Sequence, residues 1–297
     1  MATTKTEVTE LVNAELIAPV LIDGARNAAV ALPYCWIQEK GRATAVSFAR
    51  KSNASLSGSA TASVSEAGTI SATNWETLDT TVTPNKLAFR VDITTEALED
   101  NVFGPALYDL IVADCAAEIG VTFDRVITDL FTSITDSVGS SGNDLTLAQL
   151  VEARFKVLEN GVDHAGGDGV YVLHTQQMYD AEAAFVASSA TALASYYQRV
   201  DAPGSKVKAR FMGHDVVSTS NVRGDDDTPA NRVGAFFIRG NDASTRSRSA
   251  FGVAMGRDIT MVPDFDNTTD TWVLVSTARL GAGLINDAAA CKIATDA

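Results

Sequence analysis

The sequence predicts an α+β fold, on three observations. A serine- and threonine-rich arm, residues 41–93, alternates like a β-strand; apolar residues over 104–135 repeat at helical spacing; and the second half of the chain reads helix, strand, helix and then mostly strand. No internal repeat is present.

The arm carries the clearest signal. From Ser55 to Ser65 the chain alternates strictly, with Ser55, Ser57, Ser59, Thr61, Ser63 and Ser65 on one side and Leu56, Gly58, Ala60, Ala62 and Val64 on the other. Side chains this small bury little surface at about 25 cal/mol per Å², so the arm needs a partner surface outside its own subunit. Two flanks read as firmer strands: Thr44, Val46 and Phe48 going out, and Leu87, Phe89, Val91 and Ile93 coming back. The reading is one long hairpin whose connecting stretch far exceeds the usual hairpin loop of about two to five residues.

Ahead of the arm, Thr4 and Glu7 have the spacing of a capping box, and Val8, Leu11, Val12 and Leu16 follow at helical intervals, which predicts a short helix ended by Pro19. Residues 20–38 read as an extended arm containing Pro33, Tyr34 and Trp36. After the long arm, Leu107, Leu110, Ile111, Cys115, Ile119, Phe123, Val126, Ile127, Leu130, Phe131 and Ile134 share one helical face, interrupted by Gly120. At 1.5 Å per residue this helix spans about 45 Å, long enough to be the spine of a flat subunit.

A glycine- and serine-rich turn at 139–143 precedes Thr146 and Gln149, a second capping box, whose helix buries Leu147, Leu150, Val151 and Leu158 and stops at Asn160 and Gly161. The turn 166–169 leads into a short apolar strand, Val170 to Leu173, and a third helix runs from Thr175 to about Val186. Strands are predicted over 207–211, 215–219, 233–238, 251–255 and 259–262, with a closing hairpin of 272–276 and 280–285.

Composition narrows the function. The chain has 297 residues, 46% hydrophobic and 20% charged, enough for a sizeable core. No apolar run reaches the roughly 18 residues of a membrane helix, and the start lacks a signal-peptide pattern, so neither membrane insertion nor secretion is expected. A net charge of −14 argues against a protein whose main task is gripping phosphates, yet permits one that encloses nucleic acid without adhering to it. Cys35, Cys115 and Cys291 lack metal-ligand spacing and read as reduced, buried small hydrophobes.

No nucleotide-binding loop, nucleophile elbow or zinc-protease motif occurs. His164, His174 and His214 sit at loop or strand ends with a structural or solvent-exposed role expected; a metal-dependent enzyme built from them and the aspartate-rich loops is the rival from another class. The run Asp264 to Asp270 lacks the glycine and glutamate of a calcium loop and reads as a hairpin turn. Asp225, Asp226 and Asp227 read as a solvated acidic loop. Arginines gather late, at Arg223, Arg232, Arg239, Arg246, Arg248 and Arg257, where they could neutralise a neighbouring subunit's carboxylates or simply face water.

Taken in order, the chain resembles the major capsid proteins of tailed phages, with the Hong Kong 97 type of fold. The resemblance rests on Val91 to Leu98 entering the long helix, on Phe211 to Ser218 followed by Asn221, and on Ala278 to Ile285 near the end. It implies an N-terminal arm over 1–38, an E-loop over 39–92 that overlaps a neighbour, a peripheral domain with the spine helix over 93–142 and 245–283, and an axial domain over 143–244 and 284–297. It further implies a non-enzymatic function without cofactors: hexamers and pentamers tiling an icosahedral head around double-stranded DNA, assembled in the host cytoplasm and carried in the virion. Scaffolding and portal proteins are the expected partners, the scaffold being separate or removed beforehand. Leu56, Val64 and Trp75 of the arm, Trp36 ahead of it, and Arg246 and Arg248 are the candidates for contacts between subunits. Lys51 lies where some such capsids form an isopeptide cross-link, and Gly120 is a candidate kink in the spine. An encapsulin-type nanocompartment shell, holding an enzyme instead of a genome, is the alternative with the same fold.

Overall fold

The computed structural model describes residues 29–39, 41, 45–51, 77–100, 106–140, 142–162, 167–187, 197–200, 206–222 and 231–296. The N-terminal helix, the alternating stretch 55–65 with Leu56 and Val64, Trp75, His164 and the three consecutive aspartates lie outside them.

In chain order the elements are β1 (Trp36–Glu39), β2 (Val46–Lys51), β3 (Thr77–Val82), β4 (Asn85–Thr94), α1 (Thr95–Asp100), α2 (Ala106–Thr128), β5 (Ser137–Gly139), α3 (Leu147–Glu159), β6 (Gly169–His174), α4 (Thr175–Ala187), β7 (Tyr197–Arg199), β8 (Val207–Phe211), β9 (His214–Thr219), β10 (Asn231–Ile238), β11 (Phe251–Asp266), β12 (Thr271–Leu284) and β13 (Ala290–Asp296). They form a four-stranded sheet in the order β1-β11-β12-β4, a seven-stranded sheet in the order β5-β13-β10-β6-β9-β8-β7, and the separate hairpin β2-β3.

The seven-stranded sheet is covered on both faces. Val170, Tyr171, Val172 and Leu173 of β6 are all fully buried, as are Ala235 to Ile238 of β10, the continuous apolar pattern of central strands. On one face the Tyr171 hydroxyl donates to the Leu150 carbonyl of α3 at 2.9 Å. On the other, Phe131, in the 3-10 turn that continues α2, packs on Phe237 of β10 and Phe251 of β11, ring centroids 6.1 and 5.6 Å apart. Phe131 thereby joins the two large sheets through one side chain.

A long helix is present where one was expected, but it ends at Thr128 and a 3-10 turn over Asp129–Ser133 takes the place of its expected last turns: Val112, Cys115, Ala116, Phe123 and Ile127 of α2 are buried at helical spacing, and Ile111, Ile119 and Val126 flank them. The capping box of α3 is present, with the Thr146 hydroxyl accepting from the Gln149 N–H at 3.4 Å and the Gln149 side chain accepting from the Thr146 N–H at 2.8 Å. At its far end Gly161 takes the left-handed conformation, φ +76°, that stops the helix. Its buried stripe is Leu150, Ala153 and Val157; Leu158, expected inside, is exposed.

Four expectations about the strands are corrected. The returning strand of the hairpin is β3, paired with β2 from Val46–Val82 to Lys51–Thr77. Thr83 and Pro84 then break the ladder, and Leu87, Phe89, Val91 and Ile93 belong to β4, which pairs with β12. The expected hairpin of 272–276 with 280–285 is a single strand, β12. Ser276, Ala278 and Leu280 keep a buried period-two face through the supposed turn. The real turn is 267–270, as read for the aspartate-rich run, and the two short strands 251–255 and 259–262 are one strand with irregular register around Arg257. Residues 36–39, read as arm, pair in parallel with β11.

Candidate functional site

The features of this fold that bear on function are its surfaces and the elements that shape them. The root of the β2-β3 hairpin is the best defined. Val46 and Phe48 are fully buried and cluster with Val82, Ala254 and Ile285. Trp36 stacks edge-on against Phe48 at 5.1 Å, so this contact candidate is half-buried at the hairpin root of its own chain. The hairpin comes so close because glycines line its seat. A Cβ on Gly252 would lie 2.9 Å from Phe48 Cδ1, one on Gly281 2.4 Å from the carbonyl oxygen of Thr83 at the end of the hairpin, and one on Gly283 2.6 Å from Val82 Cγ2. The seat holds the root of the hairpin against the sheet.

Arg246 and Arg248 lie in a 3-10 turn beside β2. Arg248 pairs with Asp168 of the same chain at 3.2 Å, while Arg246 is exposed. Arg239 reaches the Gly167 and Gly169 carbonyls and Asp215 (3.5 Å), and lies over the Tyr34 ring at 6.0 Å; Arg210 pairs with Asp215 at 3.0 Å. Much of the arginine cluster is thus engaged within the subunit. Partly exposed pairs of this kind contribute little to stability individually.

The two described histidines act as backbone acceptors. His214 is buried between Tyr171 and Phe236, its Nδ1 accepting from the Gly169 N–H at 3.2 Å. His174 Nδ1 accepts from the Gln176 N–H at 3.1 Å, in the first turn of α4, and burial, assisted by Arg232, pulls its pKa below the ordinary value. The three cysteines are buried and free, and burial pushes the Cys291 thiol up to about 12. Among the described residues no three His, Cys, Asp or Glu side chains could share an ion, and no described helix is long and apolar enough to cross a membrane.

Two features escaped the sequence reading. Phe155 and Leu158 on α3, Tyr179 and Val186 on α4, and Val262 on β11 are large exposed apolar side chains. The other is Asp124, fully buried one turn before the C-terminal end of α2, whose carboxylate accepts from the Val30 N–H (2.8 Å to each oxygen), the Ala31 N–H (2.9 Å) and Asn221 Nδ2 (3.4 Å). Burial pushes this carboxyl's pKa up, against the opposing pull of those hydrogen bonds. Its partners sit more than 90 residues away along the chain, beyond the reach of any spacing rule.

The comparisons with known proteins agree with this architecture. No protein-family profile matches the chain, and no curated protein matches it. Solved structures do. A virus-like particle from Pyrococcus furiosus aligns over 95% of this chain and 98% of its own, with a TM-score of 0.58 and 12% identity. The capsid of the cyanophage P-SCSP1u aligns over 88% and 86%, with a TM-score of 0.62 and 12% identity. The capsid of a native GTA particle, computed with C5 symmetry, aligns over 91% of both chains, with a TM-score of 0.63 and 15% identity. The chain therefore has the mixed helix-and-sheet fold of phage capsid proteins, and the resemblance read from Val91–Leu98, Phe211–Ser218 and Ala278–Ile285 holds at the level of fold.

Proposed function

We propose that this chain is a major capsid protein, a non-enzymatic subunit that assembles into hexamers and pentamers of an icosahedral phage head around double-stranded DNA. The observation that carries this reading is likeness to capsid subunits over most of the chain. In this reading 39–92 is the E-loop, aimed across a neighbour by its glycine-lined root. Residues 93–142 and 245–283 form the peripheral domain, 143–244 and 284–297 the axial domain, and 1–38 the N-terminal arm. Leu56, Val64 and Trp75 make contacts between subunits through the arm, with Trp36, Arg246 and Arg248 near its root. The net charge of −14 suits a wall that repels packaged DNA instead of binding it. Scaffolding and portal proteins complete the assembly, which takes place in the host cytoplasm.

A nanocompartment shell around a protein cargo is a second reading, favoured by the likeness to a virus-like particle from Pyrococcus furiosus. The contents separate the two. Particles purified after co-expression with the neighbouring genes and treated with nuclease should retain protected double-stranded DNA; particles holding only a co-purifying enzyme would reverse the assignment.

A further inference from the structure

Asp124 occupies a position that helix chemistry disfavours. It lies one turn before the C-terminal end of the 23-residue helix α2, where the helix dipole opposes a negative charge, has poor intrinsic helix propensity, and is fully buried. A carboxylate removed from water is costly unless hydrogen-bonded, and here the donors come from two other segments of the chain. Val30 and Ala31 immediately precede the 3-10 turn Leu32–Tyr34, whose N-cap residue, Ala31, supplies no side-chain cap. Asp124 instead accepts from the N–H groups of Ala31, the N-cap residue itself, and of Val30 before it.

The same helix face grips a third segment. Asn221, in the turn after β9, donates its side-chain amide to Asp124, while the Thr128 hydroxyl, one helical turn further on, donates to the Asn221 carbonyl at 3.1 Å. Lys206 Nζ donates to the Ala29 carbonyl, which brings its positive charge near Asp124. Beyond it the chain is held separately, by the Gly240 N–H donating to the Tyr34 carbonyl at 2.8 Å and by the pairing of β1 with β11.

We propose that Asp124 is a latch that fastens residues 29–31 and the Asn221 turn to the long helix, so that the three move as one body until the carboxylate lets go. Opening it frees residues 29–31 while β1 stays in its sheet. The inference goes beyond the assembly reading and does not depend on it.

Residue-resolved hydrogen exchange on the full chain tests it. In the wild type the Val30 and Ala31 amides, whose acceptor is this carboxylate, should exchange slowly. In Asp124→Asn, which keeps the size but loses the charge and one acceptor, they should exchange about tenfold to a hundredfold faster, with β6 and β10 unchanged. Fast exchange in the wild type, or no acceleration in the variant, would overturn the proposal. Should Asp124→Asn fail to fold, Asn221→Ala decides: faster exchange at Val30 and Ala31, which residue 221 does not touch, supports the latch, and unchanged exchange there refutes it.

Discussion

Gly281 faces the carbonyl oxygen of Thr83 so closely that a single added carbon would stand 2.4 Å from it. The atom opposite belongs to backbone, next to Pro84, so neither side yields by a rotamer change. Gly281→Ala should therefore lower stability by about 1–3 kcal/mol and tilt the β2-β3 hairpin on its sheet. Gly41→Ala, where nothing lies within 4 Å, should stay within about 0.5 kcal/mol. Urea unfolding of both variants checks the contrast.

Phe131 touches one ring in each large sheet, and those rings, Phe237 and Phe251, also meet each other at 4.9 Å. Phe131→Ala should cost about 3–5 kcal/mol, because the cavity opens where two sheets and a helix end converge. Phe155→Ala, at a side chain 55% exposed, should cost less than about 1 kcal/mol in the unassembled subunit. Thermal unfolding of the two variants measures the difference, and under the capsid reading the Phe155 variant should assemble more weakly despite its intact fold.

The pH dependence of His174 has a definite sign. Its pKa is pulled down in the fold, first by burial and then by Arg232, so the folded state binds fewer protons than the unfolded chain. Its contribution is fully present above the unfolded value of about 6.5 and is lost as pH falls through the folded pKa. Protonation also removes the Nδ1 acceptor used by the Gln176 N–H. His174→Asn keeps an acceptor at that place without titrating. Denaturation midpoints from about pH 7.5 to 5 should therefore fall more steeply in the wild type than in the variant.

Removing the cap of α3 isolates a local effect. Thr146→Ala deletes the hydroxyl that accepts from the Gln149 N–H and should destabilise the subunit by about 0.5–2 kcal/mol. Thr146→Ser should recover most of the loss, as read from paired melting curves.

What could be read from the sequence was local. Thr146 with Gln149, Asn160 with Gly161, the apolar run Val170–Leu173 and the 3.6-residue stripe of the long helix each carry their own start, stop or period within a few residues, and each is present. Strand pairing was not legible, because β3 and β4 both alternate and only the packing of Thr83 and Pro84 over Gly256 and Gly281 decides which one partners β2. The irregular register at Arg257 hid the unity of β11, and the stretch Thr277 to Arg279, without a large apolar side chain, imitated a turn inside β12. Asp124 looked like one more polar residue on a helix, since its donors Val30 and Ala31 precede it by 94 and 93 positions. Of the contact candidates, Trp36 and Arg248 have partners within their own chain, which composition and spacing do not reveal.

The central claim, that this fold serves to build a shell, is tested most directly by electron microscopy of the purified chain, expressed alone and with its neighbouring genes. The account predicts closed icosahedral particles, or free hexamer and pentamer rings, with the arm of each subunit lying across the next. A homogeneous monomer in both preparations, at concentrations where capsid subunits associate, would contradict it.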